Sequence, residues 1–293
     1  MSDEPLRVIC AGHVNWDVTL QVDRLPEPDG EASIADQYQS GGGSASNVAV
    51  ALAGLDASPL LLGSVGRDEN GLLVRRELDS AGVETALVET DGETAVKYLV
   101  VDDSGELMMF GNEGANEAYA AADLSAAQLA GADHLHLTSQ CPETAVELAR
   151  AASEAGLTVS FDPGRRLADR DYAATIRNTD ILFCNEREAT VLRDEADAVD
   201  TLVVKQGSGG ATAFDGDRDV AHPGFAVDPV DTTGAGDAFA AGFLVARADG
   251  DAIERALAVG NACGALAART PGARVQIEWR DVDALLDIGP SEP

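Results

Sequence analysis

Asp231-Thr232-Thr233-Gly234-Ala235-Gly236-Asp237-Ala238-Phe239-Ala240-Ala241-Gly242-Phe243 is the most informative stretch of this 293-residue chain. A polar turn runs into small residues, a carboxylate follows, and a helix rich in alanine and phenylalanine begins. The first N–H groups of a helix lack intrahelical partners and present partial positive charge, so they bind anions. Gly234 and Gly236 let such an anion approach the backbone closely. An aspartate beside a bound phosphate has no simple structural purpose, because like charges repel. Asp237 makes sense there if a substrate hydroxyl must lose its proton. The helix dipole should keep Asp237 ionised and hence a weak base, which suits phosphoryl transfer, where a loose transition state releases the proton late.

Around this stretch, apolar strand-like runs alternate with amphipathic helical ones. Leu6–Ala11, Leu60–Val65, His134–Thr138, Thr158–Phe161, Ile181–Cys184 and Leu202–Val204 read as strands. Ser44–Ala53, Asn70–Ala81, Pro142–Ala155, Glu186–Arg193, Ala235–Ala248 and Ala252–Ala268 read as helices. The alternation predicts an α/β fold with a central, mostly parallel sheet and helices on both faces. Two stretches break the rhythm. Ala32–Tyr38 and the hairpin Ala95–Val101 with Leu107–Phe110 read as a small β-sheet lid, at about residues 31–39 and 94–111, on a single domain spanning residues 1–293. Lys97, on such an exposed strand, can touch substrate, but reads first as a charge that blocks edge pairing. Residues from Ile288 to Pro293 read as a frayed tail.

Hydrophobic residues make up 45% of the chain, enough for a sizeable core. The net charge is −31, from 20 basic and 51 acidic residues, and Lys97 and Lys205 are the only lysines. This balance argues against nucleic acid and anionic membranes as partners, and favours a protein adapted to high salt. The start lacks a positively charged and an apolar signal region, so a cytoplasmic location is expected. Cys10, Cys141, Cys184 and Cys263 are widely spaced and read as small buried hydrophobes rather than metal ligands or a disulfide framework.

Three more constellations carry chemistry. Gly12-His13-Val14-Asn15-Trp16-Asp17 follows the first strand, where ligands of open α/β sheets bind. Asn15 and Asp17 alternate onto one side of extended chain and can hold hydroxyls, or can simply form a turn. Trp16 can stack on a sugar or base, or lie in the core. Gly41-Gly42-Gly43-Ser44-Ala45-Ser46-Asn47 leads into a helix, with glycines that admit a ligand and Asn47 able to read a hydroxyl. Asn185 and Glu188, three apart at a helix start, can organise Mg²⁺ or merely cap the helix. Neither a dinucleotide fingerprint nor a P-loop is present.

In this order the motifs resemble the ribokinase-like carbohydrate kinases, or PfkB family, from about Arg7 to Gly272. Asp231–Phe239 matches the family's D-T-T-G-A-G-D-x-F signature; Gly42-Gly43-x-Ala45-x-Asn47 and Asn185-x-x-Glu188 match two further motifs. The resemblance implies ATP-dependent phosphorylation of a hydroxymethyl group on a sugar. Asp237 would be the catalytic base, and the N–H groups of Gly234, Ala235, Gly236 and Asp237 the anion hole. Asn15, Asp17, Gly42, Gly43 and Asn47 would bind the sugar. Asn185 and Glu188 would organise Mg²⁺ and the ATP phosphates, directly or through water. Lys205, Gly207 and Asn261 would bind the nucleotide. Asp231 and Thr233, with the loop Thr270-Pro271-Gly272, would hold a monovalent cation, usually K⁺. A homodimer joined through the lid is a further expectation.

Two departures bear on the substrate. Ser44 stands where many sugar kinases have lysine, and few positive side chains neighbour Asn15 and Asp17, so a free sugar or a nucleoside is favoured over an already phosphorylated or acidic one. Gly164 stands where the family often has asparagine, with Arg165 or Arg166 able to serve a phosphate. A nucleoside kinase, a 2-keto-3-deoxy sugar acid kinase, a kinase of a sugar phosphate and a non-catalytic sugar- or nucleotide-binding regulator are the alternatives.

Overall fold

In a computed structural model that describes residues 4–192 and 198–290, the alternating runs assemble into two sheets. The first third of the chain holds β1 (Arg7–Ala11), β2 (Asn15–Val22), β3 (Ile34–Gly42), α1 (Ser44–Gly54), β4 (Ser58–Gly66), α2 (Glu69–Ser80), β5 (Glu84–Thr90), β6 (Ala95–Asp102) and β7 (Leu107–Gly111). Then follow α3 (Ala126–Ala130), β8 (His134–Thr138), α4 (Pro142–Glu154), β9 (Thr158–Asp162), α5 (Ala173–Ile176), β10 (Ile181–Asn185) and α6 (Glu186–Ala189). The rest comprises β11 (Thr201–Lys205), β12 (Ala211–Asp215), β13 (Arg218–His222), α7 (Ala235–Ala248), α8 (Ile253–Ala268) and α9 (Trp279–Ile288).

The large sheet has the order β13-β12-β11-β10-β9-β8-β1-β4-β5 and is parallel from β5 through to β11. Its central strands are rich in apolar residues because helices cover both faces, and the buried polar exceptions on β8 and β9 pair with each other, His134 and His136 each lying 2.7 Å from Ser160 Oγ. On one face, Val8, Cys10, Phe183 and Val203 pack with α1, α7 and α8; on the other, Ile9, Leu135, Leu137 and Phe161 pack with α4. Phe183 meets Phe243 of α7 edge to face at 5.4 Å, which seats the signature helix on the sheet.

Several elements depart from the sequence reading. The antiparallel hairpin β12–β13 and strand β5 were not expected. The helix expected to reach Arg193 runs only over Glu186–Ala189, and Arg193 itself lies outside the described residues. Trp279–Ile288 forms α9, which reaches into the stretch read as tail.

The smaller sheet has the order β3-β2-β6-β7. It contains β2, a segment that the sequence reading left as extended chain or a turn and did not assign to the lid. Residues 15–22 alternate, but Asn15, Asp17 and Thr19 are buried along with Trp16 and Val18, so hydropathy alone gave no one-sided stripe. Trp16 belongs to the core, its Nε1 donating to Gln39 Oε1 at 3.0 Å. β6 pairs with β2 on one side and β7 on the other. Lys97 therefore lies on an interior strand and does not protect an edge. The β6–β7 turn closes on Asp102, whose Oδ1 accepts from the Ser104 hydroxyl and from the Ser104 and Glu106 N–H groups at 2.7–2.9 Å. The outer face of this hairpin leaves Tyr98, Met108 and Phe110 exposed. No helix among the described residues is long and apolar enough to cross a membrane.

Candidate active site

The carboxyl ends of five parallel strands present Gly12, Thr138, Asp162, Asn185 and Lys205 toward the smaller sheet, and α7 begins beside them. This is where open α/β sheets bind ligands.

Asp237 lies in the first turn of α7 and is half-buried. Asn47, from α1, donates Nδ2–H to Asp237 Oδ2 at 2.8 Å, joining the two signature motifs directly. Burial pushes the Asp237 carboxyl up to about 6, against the Asn47 hydrogen bond and Lys205, which favour the anion. The weak base expected from the helix dipole is thus corrected. That dipole contributes about 0.3–1 kcal/mol, less than the roughly 3 kcal/mol such a rise represents.

Asn15 and Asp17 are buried on β2 and share one face. Asn116 donates Nδ2–H to Asn15 Oδ1 at 2.8 Å and accepts from Val14 N–H at 3.1 Å. Asn15 is thereby turned to offer its amide donor alone. Burial likewise pushes Asp17 up to about 6, although Lys97 and Arg274 favour its ionised form. Gly42 pairs with Asn15 across the β2–β3 ladder, and a Cβ there would stand 2.0 Å from Asp17 Oδ2. The glycine is therefore required by the carboxylate. Gly43 is the N-cap of α1 with φ 96°. Among the buried polar atoms without a protein partner, Asn15 Nδ2, Asp17 Oδ1 and Asn47 Oδ1 belong to this group. Buried polar atoms are rarely left so, and a cluster of them suits a polyhydroxylated ligand.

Gly234, the N-cap of α7, has φ 77°, and a Cβ would fall 2.0 Å from the Ala273 carbonyl oxygen. The N–H groups of Gly236 and Asp237 find no acceptor among the described residues, whereas Ala235 N–H leans to Thr232 O at 3.3 Å. Lys205 Nζ lies 3.3 Å from where a Gly236 Cβ would be and pairs with Asp162. Burial opposes the Lys205 charge, but Asp162 outweighs it and the ammonium is held above its usual range.

Asn185 and Glu188 form a capping box. Asn185 Oδ1 accepts from Arg187 and Glu188 N–H at 2.9 Å, and Glu188 Oε2 accepts from Asn185 N–H at 2.8 Å. Burial and then Asp162 raise the Glu188 carboxyl. A carboxylate pair beside a phosphate site fits Mg²⁺, which uses one or two carboxylates together with substrate phosphates. Glu188 and Asp162 would hold it, through its waters.

Asp231 ties loops together. Its Oδ1 accepts from Thr233 N–H at 2.9 Å, and its Oδ2 from Gly272 N–H at 3.0 Å and the Tyr38 hydroxyl at 3.1 Å. Asn261, buried on α8, donates to Leu257 O at 2.9 Å and lies 3.2 Å from His222 Nδ1. Gly224, two residues after His222, approaches the Ser208 carbonyl in the turn that begins at Gly207. Gly207, Asn261 and Lys205 thus border one side of the site, with Asn15, Asp17 and Asn47 on the other and Asp237 between.

Sequence reasoning missed Arg274, Asn116 and Asp162. Arg274 is buried beneath Gly41, donating to Ser46 Oγ at 2.8 Å, Glu77 at 3.0 Å and the Gly42 carbonyl at 3.3 Å. Burial lowers its guanidinium to about 10. It braces the glycine turn from a position adjoining the Thr270-Pro271-Gly272 loop, with no local motif to announce it.

A phosphate cradle beside a carboxylate and a hydroxyl-reading pocket define a phosphotransferase acting on an alcohol. The sequence matches the pfkB family carbohydrate kinases over residues 6–280, and the chain belongs to that family. It is 57% identical over 280 residues to an ATP-dependent ribose-1-phosphate kinase of Halopiger xanaduensis, covering 92% of this chain and 94% of that one. It is 31% identical to the ribokinase of Bacillus subtilis, covering 96% and 100%. Among solved structures, Arabidopsis thaliana ribokinase complexed with ribose and ATP aligns with a TM-score of 0.83 at 26% identity, covering 96% and 98%. The nucleoside kinase of Methanocaldococcus jannaschii aligns with a TM-score of 0.84 at 26% identity, also covering 96% and 98%.

Proposed function

We propose that this kinase transfers the γ-phosphoryl group of ATP to the hydroxymethyl oxygen of a pentose already phosphorylated on its anomeric carbon, giving ADP and a pentose bisphosphate. The acceptor oxygen bonds to the γ-phosphorus, the bond to the β,γ-bridging oxygen breaks, and the hydroxyl proton passes to Asp237. The observation that carries the reading is the convergence of Asn15 Nδ2, Asp17 Oδ1 and Asn47 Oδ1, all without partners, beside the Asn47–Asp237 hydrogen bond. Ring hydroxyls satisfy the first set while the hydroxymethyl group reaches the carboxylate.

Asp237 near pH 6 is a stronger base than an exposed aspartate yet is ionised at neutral pH, a useful compromise for proton transfer. The Gly236 and Asp237 amides and the Lys205 ammonium surround the place where the transferring phosphoryl group gathers charge. Mg²⁺, when bound, would neutralise the ATP phosphates. The phosphorylated acceptor rests on the 57% identical relative named for ribose 1-phosphate. It replaces the free sugar favoured on sequence alone.

An ATP-turnover screen in molar KCl tests this, using ribose 1-phosphate, ribose, fructose, adenosine and a 2-keto-3-deoxy sugar acid. Ribose 1-phosphate should give the highest kcat/KM, with ³¹P NMR showing a second phosphomonoester on the product. A clear preference for ribose or adenosine would move the acceptor to a free sugar or nucleoside. Binding without any product would indicate a regulator.

A further inference from the structure

We infer that Lys97, with Arg165 as a second arm, is the specificity determinant that reads the acceptor's own phosphate. The inference rests on the phosphorylated acceptor proposed above and assigns the side chains that recognise it.

Lys97 pairs with Asp17 across β2–β6 and with Gly111 across β6–β7. Asp17 in turn pairs with Ser40 of β3. Directly paired residues share a face, so Ser40, Asp17, Lys97 and Gly111 form one row on the side of the small sheet that faces Asp237. The row has a direction. β3 runs through Gly42 into α1, which carries Asn47 and hence the Asp237 end of the site. Lys97 and Gly111 lie on the other side of Asp17 from Ser40, and the Lys97 charge favours the ionised forms of both Asp17 and Asp237. Neighbouring strands are about 4.8 Å apart, so a pentose with its hydroxymethyl group at Asp237 and ring hydroxyls at Asp17 extends its opposite, anomeric end toward Lys97.

Charge supports the same place. Lys97 is half-buried and has no ion pair among the described residues, in a chain with 51 acidic and 20 basic side chains. Gly111, opposite it, has no side chain to occupy the space; a Cβ there would lie 3.4 Å from Lys97 Cγ. One row along, Met109 pairs with Leu99 on the same face, and Arg165 Nη1 lies 3.8 Å from its sulphur. Arg165 also has no ion pair among the described residues, whereas Arg166 and Arg170 in the same stretch are held by Glu113 and Glu117. The turn bearing Arg165 is itself positioned, with Gly164 packing over Ser139 at the end of β8. Two cations without ion pairs among the described residues thus lie along one face of the lid sheet, Lys97 over Gly111 and Arg165 against Met109. A phosphomonoester dianion accepts charge-assisted hydrogen bonds from both.

The test compares steady-state kinetics of wild type, Lys97→Met, Lys97→Arg and Arg165→Ala with ribose 1-phosphate, ribose and ATP as the varied substrates. For Lys97→Met, KM for ribose 1-phosphate should rise about tenfold or more, and its selectivity over ribose should fall by a similar factor, as expected for loss of a charge-assisted contact. KM for ATP should stay within about twofold, because the triphosphate side uses other groups. Lys97→Arg should recover most of the loss, and Arg165→Ala should show a smaller loss of the same kind. A Lys97→Met enzyme whose KM rises equally for ribose and ribose 1-phosphate, or for neither, would overturn the assignment. So would a selective loss in Arg165→Ala with none in Lys97→Met. The wild-type data report separately on the acceptor itself: a wild type that uses ribose and ignores ribose 1-phosphate refutes the reading on which the assignment rests, before any variant is compared.

Discussion

Replacing Asp237 with asparagine should lower kcat by about 10²–10⁴-fold, the usual worth of a positioned general base, while leaving the fold and ATP binding intact. Asparagine is isosteric and still meets Asn47 across 2.8 Å, so little repacking follows. The pH profile makes the prediction more specific. Burial pushes Asp237 and Asp17 both up to about 6, and in the proposed mechanism each would serve as an anion, one to accept a proton and one to accept hydroxyl hydrogen bonds. Wild-type kcat/KM should therefore rise with pH through about 6, steeply because two groups must deprotonate, and level off above. In Asp237→Asn the limb should become shallower, with the Asp17 titration alone remaining. Circular dichroism and ATP titration verify that the variant is folded; near-wild-type turnover in a folded variant would remove Asp237 from the base role.

Lys205→Met should have the second largest effect, through a different route. The ammonium neutralises Asp162 and acts on Glu188 and Asp237, all at the ends of neighbouring strands or the start of α7. Its loss strands Asp162 as a mostly buried carboxylate, and breaking such a pair costs about 3–5 kcal/mol. Two consequences follow and can be separated. The melting temperature should fall by several degrees, and KM for ATP should rise about tenfold or more, because the triphosphate now approaches carboxylates with no cation between. The double variant Lys205→Met/Asp162→Asn removes the stranded charge. It should recover most of the stability and little of the ATP affinity. Full recovery of both would make Lys205 a structural ion-pair partner with no part in binding phosphate.

The parts of this site that were legible in the sequence are those where chemistry and local conformation coincide. Gly234 must adopt φ 77° beneath the Ala273 carbonyl, Asp237 must follow at the helix start, and both sit within one contiguous stretch. The triple glycine is similar, since Gly42 is dictated by a carboxylate that pairs across an adjacent strand. The parallel strands were readable because burial on both faces leaves few polar positions along them. What escaped was what depends on distant chain meeting in space. Arg274 braces Gly41 and Ser46 from more than two hundred residues away. Asn116 sets the orientation of Asn15 from about a hundred. Lys97 looked like an edge charge because the sequence does not show that β2 lies beside β6. The sequence motif Asn185-x-x-Glu188 was compatible with a metal site or a cap. In the structure its side chains satisfy each other's backbone as a capping box.

The central claim is that the amides opening α7 cradle the transferring phosphoryl group while Asp237 takes the proton from the attacking hydroxyl. A crystal structure with ADP, aluminium fluoride and ribose 1-phosphate tests it most directly. The account predicts the fluoride group within hydrogen-bond reach of the Gly236 and Asp237 N–H groups, and the hydroxymethyl oxygen between it and the Asp237 carboxylate. Nucleotide lodged away from Gly236, or a hydroxymethyl group turned from Asp237, would contradict it.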